Sequence, residues 1–174
     1  IFPGLRIGYI VAPAPVIHRV ALEKQYDDLH SNTLAQWLLY RFIGEGLMDG
    51  HLATVREEYR KRRDALAQAL KRHAGDKFSY AVPAGGFYFW CRITQQELTT
   101  RALMTEASRQ GVSFVPGNAF YPGPEGDRDL RLCFATNDAP GLQEGVRRLV
   151  KAFGNASRGG AHLGMSQGPL TPII

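Results

Sequence analysis

Residues 49–73 leave the chain little freedom. Leu52, Val55, Tyr59, Leu66 and Leu70 recur at the spacing that lines one side of an α-helix. Gly75 follows as a C-cap, because glycine takes the left-handed conformation that ends a helix without steric penalty. A helix of this length behind the Gly44/Gly46 break is of the kind that bridges two lobes. Its other side is charged: residues 56–72 hold much of the excess behind a formal net charge of +5 and a pI near 9.4. Glu57 with Lys61, and Glu58 with Arg62, stand four apart with the acid first, the order that stabilises an exposed helix. These pairs describe a solvated face; a DNA-contacting surface is the alternative.

Ahead of this helix, residues 5–11 alternate as a strand does, with Leu5, Ile7, Tyr9 and Val11 on one side and Arg6, Gly8 and Ile10 on the other. Pro13 and Pro15 end the strand and open a helix over residues 16–29. Ser31 or Asn32 caps a second helix that carries Leu34, Trp37, Leu38 and Phe42.

Behind residue 77 the texture changes. Short strands are expected at residues 78–82, 87–93, 112–115 and 129–135, with a turn at Pro83-Ala84-Gly85-Gly86 and a polar loop over residues 121–128. Helices are expected at residues 96–110 and after a cap at Asn137 or Asp138. Leu142, Val146, Leu149, Val150 and Phe153 form the inward side of the last one. Residues 78–153 therefore read as a sheet covered by helices. Residues 154–174 are rich in Gly, Ser and Pro, lack periodicity, and are expected to form a flexible tail.

With 44% hydrophobic and 21% charged residues, the composition excludes fibrous and disordered classes. No apolar run reaches membrane-spanning length, and no leader pattern is visible. The sequence opens at Ile1 in the middle of a pattern, so a longer parent is expected. Cys91 and Cys133 lack CxxC spacing and lie in strand-like segments, where both are expected to be buried and reduced. His18, His30, His51, His73 and His162 show no metal-ligand spacing, and no metal site is expected. His30 reads as a helix-end histidine or as a residue at a site entrance. Tyr88 and Trp90 read as core or interface aromatics, with site lining as the alternative.

Two arginines stand out. Arg6 lies within an otherwise apolar strand, with Gly8 on the same side leaving room for an approaching group. Arg131 repeats the situation in Leu130-Arg131-Leu132-Cys133-Phe134. A charge in such a place needs a counter-charge, and a guanidinium can grip a carboxylate or phosphate through two parallel hydrogen bonds. An internal ion pair, or for Arg6 a route to solvent, accounts for the pattern equally well.

The stretch Ile1-Phe2-Pro3-Gly4-Leu5-Arg6-Ile7-Gly8-Tyr9 resembles the strand that follows the cofactor-bonding lysine in class I/II, fold-type I aminotransferases. Pro83-Ala84-Gly85-Gly86-Phe87-Tyr88-Phe89-Trp90 resembles that family's Pro-x-Gly-Gly-aromatic turn, and Val115-Pro116-Gly117-Asn118-Ala119-Phe120 its Pro-Gly-x-x-Phe loop. Leu130-Arg131-Leu132-Cys133-Phe134-Ala135 resembles its arginine-bearing strand. The four motifs occur in order over residues 1–153. The stretch around His30-Ser31-Asn32 is most similar to the branch holding 2-aminoadipate aminotransferases and MocR-like regulators.

The resemblance implies an α/β fold: the end of the large pyridoxal-phosphate-binding domain (residues 1–48), then a small α+β C-terminal domain (residues 49–153). It implies pyridoxal 5'-phosphate as cofactor, Arg6 as its phosphate ligand and Arg131 as the ligand of the substrate carboxylate. The cofactor-bonding lysine is expected about two positions before Ile1. Lys24, Lys71, Lys77 and Lys151 do not match the motif, so no catalytic residue is expected in this chain and no activity from it alone. The implied function is amino-group transfer between an amino acid and a 2-oxo acid, in a cytoplasmic homodimer. The alternative is the effector domain of a MocR/GntR-type regulator, which would contact nucleic acid through an upstream winged helix.

Overall fold

The computed structural model describes residues 3–159. It divides the chain into two compact units, the first ending at Arg56 and the second beginning at Glu57.

In the first unit a 3-10 turn at Pro3–Leu5 leads into an open stretch, followed by α1 (Ala14–Asp27) and α2 (Thr33–Gly44). Pro13 and Pro15 open α1 as their fixed backbone angle favours. Asn32, not Ser31, caps α2: its side-chain oxygen accepts from the Ala35 N–H at 3.1 Å. The strand expected at residues 5–11 does not form. Alternation suits a segment to a sheet, but a strand exists only against a partner, and the described residues of this unit contain no second strand. Ala35 is the unit's one buried side chain among the described residues, while Leu34, Trp37, Tyr40 and Ile43 of α2 are exposed.

The boundary between the units falls inside α3 (Met48–Ala69), which loosens into a π-type turn at Leu70–Ala74 and stops at Gly75, φ 57°. Leu66 and Leu70 are buried, as their place in the apolar stripe requires. The surface pairs form at spacing three rather than four: Arg60 with Glu57 at 2.6 Å and Lys61 with Glu58 at 2.9 Å. Arg62 is drawn elsewhere, donating to the Ala135 carbonyl at 2.6 Å, which leaves Glu58 to Lys61. That contact holds the Glu58 carboxyl below and the Lys61 ammonium above their ordinary pKa values.

The second unit is a four-stranded antiparallel sheet of β1 (Phe78–Tyr80), β2 (Tyr88–Ile93), β3 (Val115–Pro116) and β4 (Asp129–Cys133), in the order β1-β2-β4-β3. Alternation along β2 buries Phe89, Cys91 and Ile93 and exposes Tyr88, Trp90 and Arg92. Leu103 and Ala107 of α4 (Thr100–Arg109) join the buried side. So do Leu142, Val146, Leu149 and Phe153 of α5 (Ala139–Gly159). α4 begins later than expected because Thr99 caps it, accepting from the Ala102 N–H at 3.3 Å. Leu98 enters the core from the loop before it. Asp138 caps α5 through the Gly141 N–H at 2.9 Å. The predicted tail starts too early: residues 154–159 continue α5, and Ala156 is buried against the core, an apolar contact that outweighs the poor helix propensity of the glycines. The rest of that tail, with His162, lies outside the described residues.

Candidate functional site

The face of the sheet away from the core holds Arg131 and the aromatic residues of the sequence motifs. Residues opposite one another in an antiparallel pair share a face. The register sets Tyr88 against Cys133, Trp90 against Arg131 and Arg92 against Asp129. Tyr88 and Trp90 are therefore not core residues; Phe89, between them, takes that place. Cys133 is half-buried on this face, not enclosed as expected, whereas Cys91 points into the core and its thiol is pushed up to about 12 by burial.

Arg131 is the centre of the face. Its guanidinium carbon lies 4.0 Å from the centroid of the Tyr88 ring and 4.9 Å from that of Phe120. Its Nε is buried without a hydrogen-bond partner, and the side chain forms no ion pair among the described residues. The carboxylate two residues back on the same strand, Asp129, is already engaged by Arg92 at 3.2 Å. The internal ion pair that would have explained Arg131 is thus absent among the described residues. What remains is a cation packed on aromatic surface, with donors free for an anion.

Three of the four sequence motifs converge here. The turn at Gly86, φ 79°, delivers Phe87 and Tyr88 into β2. β3 places Val115 beside Arg131, and the 3-10 turn Gly117–Phe120 carries Phe120 back over it. The rings support one another edge-on: Phe87 meets Tyr59 at 5.0 Å and Tyr88 at 6.3 Å, and Phe120 meets Trp90 at 5.3 Å. Sequence reasoning passed over Phe120 as a site residue. The parity of β2 and β4 was the available signal for Tyr88; Phe120 needed the path of the loop.

Arg6 lies in the first unit, exposed, in the open stretch and with φ 56°. It is not the inward-facing strand residue expected, because that strand is not formed. Among the described residues it has no ion pair. Positive φ at a non-glycine residue is strained by about 1–3 kcal/mol. A β-carbon at Gly8 would meet nothing within 4 Å, so the space beside it is open. The Arg6 guanidinium is therefore accessible, and a guanidinium can meet an anion through two parallel hydrogen bonds. His30 is exposed behind α1, its Nδ1 at 3.1 Å from the Ser31 carbonyl. Lys24 is paired with Asp28 at 2.5 Å.

The sequence matches the family described as aminotransferase class I and II over residues 2–149. The chain belongs to that family. Among aminotransferase relatives, a 2-aminoadipate transaminase of Thermus thermophilus is 36% identical over 151 residues, covering 87% of this chain and 38% of that protein. An uncharacterised HTH-type transcriptional regulator of Bacillus subtilis, YisV, is 35% identical over 149 residues, covering 86% of this chain and 30% of the regulator. The crystal structure of LysN, an α-aminoadipate aminotransferase of Thermus thermophilus complexed with N-(5'-phosphopyridoxyl)-L-leucine, superposes with a TM-score of 0.81. It is 35% identical and the match covers 90% of this chain and 40% of LysN. The aminotransferase fold expected from the four motifs is therefore present, and the chain spans about two fifths of the length of the aminotransferases it matches.

Proposed function

We propose that the whole protein is a pyridoxal-phosphate-dependent amino-acid aminotransferase, in which Arg131 binds the substrate α-carboxylate and Arg6 the cofactor phosphate. Arg131, half-buried against the Tyr88 and Phe120 rings and with no ion pair or hydrogen-bond partner among the described residues, carries this reading. A cation packed on apolar rings without an internal counter-charge is suited to a ligand that supplies one. An α-carboxylate matches a guanidinium in charge and in bidentate geometry. Residues 1–48 complete the large domain in this reading, and residues 49–153 form the small domain that brings Arg131 to the substrate.

Pyridoxal phosphate supplies an electron sink for the Cα–H bond when bound. The part of this chain is to hold two anions so that the reacting bond is oriented. The exposed apolar side chains of α2 support a homodimer, which would cover them. No helix among the described residues is long and apolar enough to cross a membrane.

Variants of the whole protein test the reading. Arg6→Ala weakens cofactor binding, followed by titrating the cofactor absorbance band. Arg131→Ala raises KM for the amino acid by about 10- to 100-fold, the loss expected for charge-assisted hydrogen bonds. Unchanged cofactor and substrate binding would remove both assignments.

The similarity to YisV favours a second reading, an aminotransferase-like effector domain of a transcription regulator. A winged-helix segment upstream, and sequence-specific DNA binding by the whole protein, would decide for it.

A further inference from the structure

We infer that Tyr88 and Phe120 are positioning residues for Arg131, shutting its Nε away and presenting its two terminal nitrogens to the ligand end-on. The inference rests on the reading of Arg131 as the carboxylate ligand and adds how that arginine is held. The guanidinium carbon stands 4.0 Å from one ring centroid and 4.9 Å from the other, close enough for the ring quadrupoles to attract the cation. Among the described residues Nε is the buried side-chain nitrogen left without a partner. The terminal nitrogens, which have no partner among the described residues either, are not enclosed by them. A carboxylate can meet a guanidinium along the Nε edge or along the terminal edge, and here the terminal edge is accessible.

Neither ring stands alone. Tyr88 rests on Phe87, which rests on Tyr59 of α3, and Phe120 rests on Trp90, which leans on Tyr121 at 6.2 Å. A flexible side chain that would otherwise lose rotamer freedom on binding is thereby ordered in advance. The two rings come from different motifs, the Gly-Gly-aromatic turn and the Pro-Gly-x-x-Phe loop. A displacement of either segment is felt at the arginine.

The test is made in the whole protein with 4-methylpentanoate, a carboxylate with no amino or oxo group to react. Its dissociation constant is measured by calorimetry. Hydrogen exchange at the Arg131 Nε–H is followed by NMR on arginine-labelled protein. Tyr88→Leu weakens binding about tenfold and Phe120→Leu about threefold, and both accelerate Nε–H exchange. Tyr88→Phe, which keeps the ring, restores binding and protection, an outcome that loss of a hydroxyl contact or general destabilisation would not give. Arg131→Leu abolishes binding. If Arg131→Leu abolishes binding but both leucine variants bind as the wild type and keep Nε–H protected, the positioning role is overturned and the carboxylate assignment stands. Wild-type binding by Arg131→Leu removes the carboxylate assignment itself, and the positioning role with it.

Discussion

A β-carbon on Gly117 would lie 2.5 Å from the β-carbon of Asp129 and 2.8 Å from its carbonyl oxygen. The same carbon would stand 2.8 Å from the carbonyl oxygen of Gly126, whose own missing side chain faces Gly117 in return. The loop that carries Phe120 is thus pressed against the start of β4 at a point where no side chain fits. Gly117→Ala is expected to lower unfolding stability by about 1–3 kcal/mol, the cost of overpacking against backbone that cannot move aside. Chemical denaturation of the variant checks it. Because the loop must shift, the Phe120 contact to Arg131 is expected to loosen as well, visible as faster exchange of the Arg131 Nε–H.

Asp129 is 2% exposed, and among the described residues its side chain has Arg92 as its hydrogen-bonding partner, at 3.2 and 3.4 Å. Arg92 is 49% exposed, so its own desolvation is slight while the carboxylate's is nearly complete. Removing the arginine leaves a buried charge alone. Arg92→Met should destabilise by about 1–3 kcal/mol, below the loss for a fully buried pair because water reaches the arginine side. Asp129→Asn added to Arg92→Met should recover part of that loss, since a neutral amide is less costly to leave unpaired. A double-mutant cycle by denaturant unfolding measures the coupling; strictly additive effects would show that the pair contributes nothing.

How far the sequence announced this arrangement differs between the two units. In the second, several local signals agree with the tertiary structure: the alternation of β2, a cap at Asn137 or Asp138, of which Asp138 serves, and the apolar stripe of α5 were each readable from a few neighbouring residues. In the first, alternation at residues 5–11 promised a strand that a local pattern cannot complete alone, and Arg6 is exposed instead of inward. Arg131 was conspicuous as a charge in an apolar strand. Its ring partners were not, because the contact with Phe120 depends on a loop folding back rather than on a period in the chain. Arg62 shows the same limit: its spacing from Glu58 suggested a surface pair, yet the Ala135 carbonyl, distant in sequence, claims it.

Thr100 opens α4 from a buried position and ties it to the loop before β4. Both its N–H, at 2.7 Å, and its hydroxyl, at 2.9 Å, donate to the Asp127 carbonyl. Thr100→Val keeps the shape and loses the hydroxyl donor. The carbonyl stays satisfied by the N–H, so no buried acceptor is orphaned, and the expected loss is about 1 kcal/mol. Thr100→Ala also removes methyl packing and should cost more. Thermal unfolding of the two variants side by side separates the hydrogen bond from the packing.

The buried thiol of Cys91 sets a limit on the alkaline side. Burial lifts its pKa from 9.0 to about 12, so the folded chain holds that proton after the unfolded chain has released it. Rising pH therefore favours the unfolded state through the window from about 9 to 12, and the stabilisation is complete below it. The slope reaches about 1.4 kcal/mol per pH unit when one proton separates the two states. Tyr80, raised by its own burial and by the charge of a Cys91 thiolate, steepens the fall as pH rises through its ordinary value of 10.0. Cys91→Ala should lower stability at neutral pH through the lost sulfur contacts, yet flatten the decline between pH 8 and 9, where Tyr80 contributes little. Denaturant midpoints measured across that interval check the expectation. An equally steep decline in the variant would assign the alkaline limit to another group. Thiol labelling of the native chain at pH 8 gives an independent check: Cys133, half-buried on the open face, should react, and Cys91 only after unfolding.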